Sequence, residues 1–209
     1  MKVGEISFPS FTGIRCLMMP YVQGHPETVS DIYAPYSDIL SGLTLQRGQI
    51  GFLTIDESAV EAGKPHRGAH AKYDRALHTE AGRIPGRCYK WGGGGWGSKP
   101  HHVELDRNVA ILLANNLDDS CAIWDSEHEE TSDDGDLGHV ADAYPYRTAT
   151  FLKAGEVHRI GILTPHESLP VARDGQRQFL RIVGAGVHGR EPYFTVNPLV
   201  GLPDAMSEP

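Results

Sequence analysis

Eleven histidines punctuate this 209-residue chain, and four of them stand two residues before a glutamate: His25/Glu27, His78/Glu80, His102/Glu104 and His128/Glu130. On an extended strand, positions i and i+2 project from one face, so His-x-Glu sets an imidazole beside a carboxylate. A second histidine delivered from far along the chain completes two nitrogens and one oxygen on one side of an ion, the facial set that holds ferrous iron with open positions for substrate. Composition alone yields roughly one or two His-x-Asp/Glu triplets, so context has to choose among the four. His25 precedes Pro26 in a turn and His128 lies in an acidic stretch, and both read as surface residues, poor foundations for a preorganised site. His102/Glu104 runs into the apolar segment Asn108–Ala114 and is a rival pair. His78/Glu80 is preferred: it sits in HRGAHAKYDRALHTEAG, with WGGGGWG (Trp91–Gly97) soon after. Glycines there let backbone approach a ligand, and tryptophan rings can cover it. Tyr73 and Arg75 beside the pair, with Trp91 and Trp96, are the expected substrate contacts, and His66 and His70 are further residues that would line a pocket.

The elements that must position these groups read as strands. Glycine (24) and proline (14) are abundant while 40% of residues are hydrophobic, which favours many turns and short strands over long helices and excludes a disordered chain. Ile14–Val22 reads as a buried strand broken near Pro20, and so at an edge. Thr28–Leu40 has helical spacing interrupted by Pro35, so one or two short turns are expected there. Ile50–Ile55, Asn108–Ala114, Cys121–Trp124, Thr148–Leu152, Val157–Leu163 and Gln178–Val183 are the remaining strand candidates. Between them, 56–97 is polar and irregular, and Asp125–Asp142 carries eight acidic residues and reads as an exposed loop. A single domain spanning 1–209 is expected, with residues 184–209 a proline-rich coil.

Charge and cysteine usage narrow the partners. With 19 Lys+Arg against 27 Asp+Glu the formal charge is −8, the wrong sign for phosphate-driven binding, so no nucleic acid partner is expected. No apolar run reaches the length of a membrane span. The three cysteines (Cys16, Cys88, Cys121) form no CxxC pair, which fits a reducing, cytoplasmic setting.

Downstream, AGEVHRIGILTPHESLPV (Ala154–Val171) is followed by RDGQRQFLRIVG, and together with HTE at 78–80 these residues resemble the non-haem Fe(II), 2-oxoglutarate-dependent oxygenases of the double-stranded β-helix, or jelly-roll, fold. The resemblance covers about residues 50–183, which become the expected catalytic barrel. It implies a mainly β jelly roll with a few short helices, an iron triad of His78, Glu80 and His166, and Arg177, eleven residues past His166, as anchor for the 2-oxoglutarate carboxylate. Arg181 is the alternative anchor. The cofactors implied are Fe(II) and 2-oxoglutarate as co-substrate. The substrate is a small molecule or an exposed side chain to be hydroxylated or otherwise oxidised, in a compact pocket or one assisted by a homodimer. A carboxylate at position 80 favours hydroxylation over halogenation, because halogenases of this family lack it. Two other functions share many of these features: a cupin-like metal enzyme without 2-oxoglutarate, although the GxxxxxHxH pattern is absent, and a non-catalytic β-sandwich module that binds a ligand at the WGGGGWG loop.

Overall fold

A computed structural model describes residues 1–67, 73–84, 88–91, 103–129, 135–191 and 193–200. Its strands are β1 (Lys2–Glu5), β2 (Arg15–Val22), β3 (Ile50–Val60), β4 (Ala81–Ile84), β5 (Cys88–Trp91), β6 (Glu104–Leu105), β7 (Ala110–Asn115), β8 (Cys121–Ile123), β9 (Thr150–Phe151), β10 (Glu156–Gly161), β11 (His166–Ser168), β12 (Gly175–Val183) and β13 (Val187–His188). One short α-helix, α1 (Ser37–Gly42), follows a 3-10 turn at Asp31–Tyr36, as the proline in that segment dictates. Among the described residues the protein is mainly β, and no helix is long and apolar enough to cross a membrane.

Three antiparallel sheets form: β1-β10-β7-β12-β3-β2, β11-β8-β9 and β13-β6-β5-β4. In the large sheet β3 and β12 pair over nine registered positions, from Gly175↔Val60 to Val183↔Phe52. β2 closes one edge, where Pro20 costs no ladder bond to a further strand. A bulge between Cys16 and Met19 puts Met18 at φ +46°, and its N–H donates to Thr54 Oγ1 at 3.2 Å.

Period-two alternation divides the large sheet into two chemistries. On one face Leu53, Ile55, Leu112, Ala114, Leu180 and Ile182 pack with Tyr33, Tyr36, Ile39 and Leu40 from the helical segment. On the other, Phe52, Ile111, Leu113 and Val183 pack with Ile123, Ile160, Ile162 and Leu163. Continuing along β3 and β12 on that second face, apolar residues give way to Thr54, Asp56 and Ser58 opposite Arg181, Phe179 and Arg177. The inner face is therefore dry at one end and polar at the other. β3 extends five residues beyond Ile55, into a stretch whose polar composition suggests a loop; Asp56 and Glu57 are both buried because they find partners.

The small sheet is extended beside β11 by residues 77–80. His78 and His166 form an antiparallel bridge, with each N–H donating to the other's carbonyl, at 3.0 and 2.9 Å. On its far side this segment receives the chain leaving the acidic stretch: Thr79 N–H donates to Gly135 O and Leu137 N–H to Leu77 O. Glycine is required at position 135, where φ is +77° and a Cβ would lie 2.5 Å from the Thr79 carbonyl oxygen.

Candidate metal centre

His78 and His166 are brought together by their backbone bridge, which puts directly opposed side chains on one face. Their ring centroids lie 4.1 Å apart. His78 Nδ1 lies 2.7 Å from Ala76 O and His166 Nδ1 2.9 Å from Thr164 O. Each ring thus donates Nδ1–H to a carbonyl two residues back, which fixes its orientation and leaves Nε2 as the nitrogen available to a metal, the arrangement that orients metal-binding histidines. His166 Nε2 lies 3.4 Å from Glu80 Oε1. All three side chains are at least nine-tenths buried.

Their electrostatics suit metal ligation. Burial, then the nearby Arg67 and His166, hold His78 well below the ordinary imidazole range, so it is neutral. Burial alone would raise the Glu80 carboxyl, but Arg181 and then His166 and His78 keep it ionised far below the usual carboxylate range. Arg181 Nη1 donates to both Glu80 oxygens at 3.0 Å, and Nη2 to Thr54 Oγ1 at 3.3 Å. Among the described residues no group of three His, Cys, Asp or Glu side chains is placed to hold a metal ion as it stands. His78, Glu80 and His166 converge, with Glu80 held toward Arg181.

These groups open on a cavity of about 100 Å³, walled by Thr54, Asp56, Arg177, Phe179 and Arg181 from β3 and β12 and by Cys121, His166 and Ser168 from β8 and β11. Arg177 is 5% exposed, and among the described residues its Nε and Nη1 have no hydrogen-bond partner. Its guanidinium carbon stacks 4.8 Å from the Phe179 ring centroid. Burial depresses its affinity for its proton, opposed by the charge of Asp56. A buried cation with unspent donors is a built receptor for an anion, because an unmade hydrogen bond there costs far more than in water. Asp56, also buried, lies 2.8 Å from Arg15 Nε and 2.7 Å from His66 Nε2, so its charge is shared toward the rim of the cavity. Burial pushes the Cys121 thiol up to about 12, so it lines the cavity as a neutral group.

The other residues singled out by sequence fall elsewhere. Arg75 lies on the opposite face of the small sheet: it donates to Glu167 at 3.0 and 2.7 Å and to the carbonyls of Ala141 and Tyr144 at 2.8 and 2.9 Å, and it stacks on Trp124 and Tyr146. The Tyr73 ring packs against Gly138, away from the cavity walls. His66 does reach the cavity. His70, Trp96, the Trp91 side chain and His102 of the rival His102/Glu104 pair lie outside the described residues. His158 is a buried strand histidine 3.2 Å from Glu156, remote from the site. Asp56 and Thr54 escaped the sequence reading, although the alternation Thr54, Asp56, Ser58 against Leu53, Ile55 signals a polar face.

Compared with protein-family models and with curated proteins, the chain matches none.

Proposed function

We propose that this protein is an Fe(II)- and 2-oxoglutarate-dependent oxygenase with a jelly-roll barrel, oxidising a small molecule or an exposed side chain. The observation that carries the proposal is the meeting of two carbonyl-anchored imidazoles and one carboxylate in a cavity that also holds a buried arginine with unspent donors. The sheet orders support the fold: β3-β12-β7-β10 faces a smaller layer in which 77–80, β11, β8 and β9 are neighbours, so that the chain crosses from layer to layer at β3 to 77–80, β7 to β8, β9 to β10, β10 to β11 and β11 to β12. His78, His166 and Glu80 would hold the iron, which when bound supplies oxygen activation coupled to oxidation of a 2-oxo acid.

The chain's own groups do the rest. The carbonyls of Ala76 and Thr164 orient both imidazoles and leave Nε2 of each to face the metal. Arg177 donates from Nε and Nη1 to the distal carboxylate of the co-substrate and sets its distance from the histidines. The Phe179 ring covers the guanidinium and keeps water from competing for those donors. Anaerobic addition of Fe(II) and 2-oxoglutarate is expected to produce the weak visible charge-transfer band of the chelate. His166→Ala should abolish iron binding, whereas Arg177→Ala should retain iron and lose affinity for 2-oxoglutarate. The absence of a band in the wild-type protein would overturn the proposal.

A further inference from the structure

The sequence offers two arginines on the same face of β12, and the structure gives them different tasks. Arg177 keeps its donors for a ligand, whereas Arg181 places Nη1 at 3.0 Å from both oxygens of Glu80. A single nitrogen straddling a carboxylate differs from the parallel two-nitrogen clasp usual for this pair, and it leaves Nη2 to reach Thr54 Oγ1 at 3.3 Å. Thr54 is itself fixed by the Met18 N–H at 3.2 Å, from the bulge in β2. The guanidinium is thus held from behind by Thr54 while it engages Glu80 in front.

We propose that Arg181 is a positioning residue that presents Glu80 as a one-oxygen metal ligand. This inference rests on the metal-site reading above. Glu80 Oε1, 3.4 Å from His166 Nε2, is the oxygen on the histidine side. With Nη1 drawing equally on both oxygens, the carboxylate plane is set and cannot swing to chelate an ion through both oxygens without losing the arginine. Each oxygen retains lone-pair capacity after accepting one hydrogen bond, so an ion can bind Oε1 while Arg181 stays in place. The guanidinium also holds the carboxylate in place before any metal arrives. Restricting Glu80 to one oxygen preserves the open positions that a chelating carboxylate would consume.

The test is binding of Mn(II) alone to the full-length, metal-free protein, read by the electron paramagnetic resonance signal of the free ion, together with the visible spectrum of the Co(II)-substituted protein. Arg181→Met is expected to weaken Mn(II) binding about 10- to 100-fold and to change the Co(II) spectrum as Glu80 reorients. Arg181→Lys, whose ammonium can also straddle two oxygens with one nitrogen, should restore most of the affinity and the wild-type spectrum. It carries the test if circular dichroism shows that Arg181→Met does not fold. In the double variant Glu80→Ala/Arg181→Met the loss should be no greater than in Glu80→Ala alone, since Arg181 acts through Glu80. Wild-type affinity and an unchanged Co(II) spectrum in Arg181→Met, or losses that multiply in the double variant, would overturn the inference while leaving the metal site standing. Wild-type protein that binds no Mn(II) would overturn both.

Discussion

Asp56 and Glu57 are neighbours on β3, both buried, and they face opposite sides of the same sheet. Glu57 is saturated. It accepts from the N–H groups of Thr12, Gly13 and Ile14, from the Thr12 hydroxyl, from Tyr36 Oη at 2.7 Å and from Gln178 Nε2 at 2.9 Å. On the other face Asp56, Arg177 and Arg181 surround a cavity, and Arg177 retains unpaired donors. A buried charge whose every valence is met by the protein is a fastening. One left short by the protein is a place for something else to bind.

If that contrast is sound, the largest effect on stability belongs to Glu57→Ala, which strands a tyrosine hydroxyl, a glutamine amide and three main-chain N–H groups. A loss of about 3–5 kcal/mol in denaturant unfolding is expected. The same carboxylate gives a pH signature. Burial would raise its pKa, but donation from Gln178, Thr12 and Tyr36 prevails and holds it below the ordinary 4.5. The folded state therefore binds fewer protons than the unfolded chain. The stabilisation is complete above about pH 4.5 and disappears as pH falls through the depressed folded value, and Glu57→Gln should remove this part of the acid dependence.

Arg75→Met comes next. It leaves Glu167, 3% exposed on its side chain, without its counter-charge, and should cost about 3 kcal/mol. Metal affinity should be retained, because Arg75 and the histidines occupy opposite faces of the small sheet. Arg177→Met sharpens the comparison with the smallest thermodynamic change and the opposite sign. Replacing an incompletely bonded buried cation by an apolar side chain should leave stability unchanged or raise it by about 1 kcal/mol, while binding of a small dicarboxylate is lost. A marked destabilisation by this variant would show that Arg177 is a fastening like Arg75.

The sequence carried much of this architecture, and the limits have identifiable causes. His78 and Glu80 are spaced to share a strand face, and TPH at 164–166 puts its histidine in a short strand, β11, beside a proline; the structure seats all three together. The edge position of β2 follows from Pro20. What the sequence hides is pairing. Arg75 looks like a pocket residue because it is three positions from His78, but Glu167 follows His166 and alternation sends it to the outer face, taking Arg75 along. The division between Arg177 and Arg181 is equally invisible, because both sit on one face of β12. Only cross-strand register reveals that Thr54 stands opposite Arg181, with Glu80 within reach. The length of β3 is concealed by residues that resemble loop composition until their partners, dozens of residues away, are in place.

The reciprocal main-chain bonds between His78 and His166 have an evolutionary corollary. The interval between the two rings is dictated by peptide groups, which every substitution except proline leaves intact, whereas the rim is made of side chains from other strands and loops. Mutation can therefore remodel what the mouth grips, trying one cargo after another, without detuning the pair of imidazoles underneath.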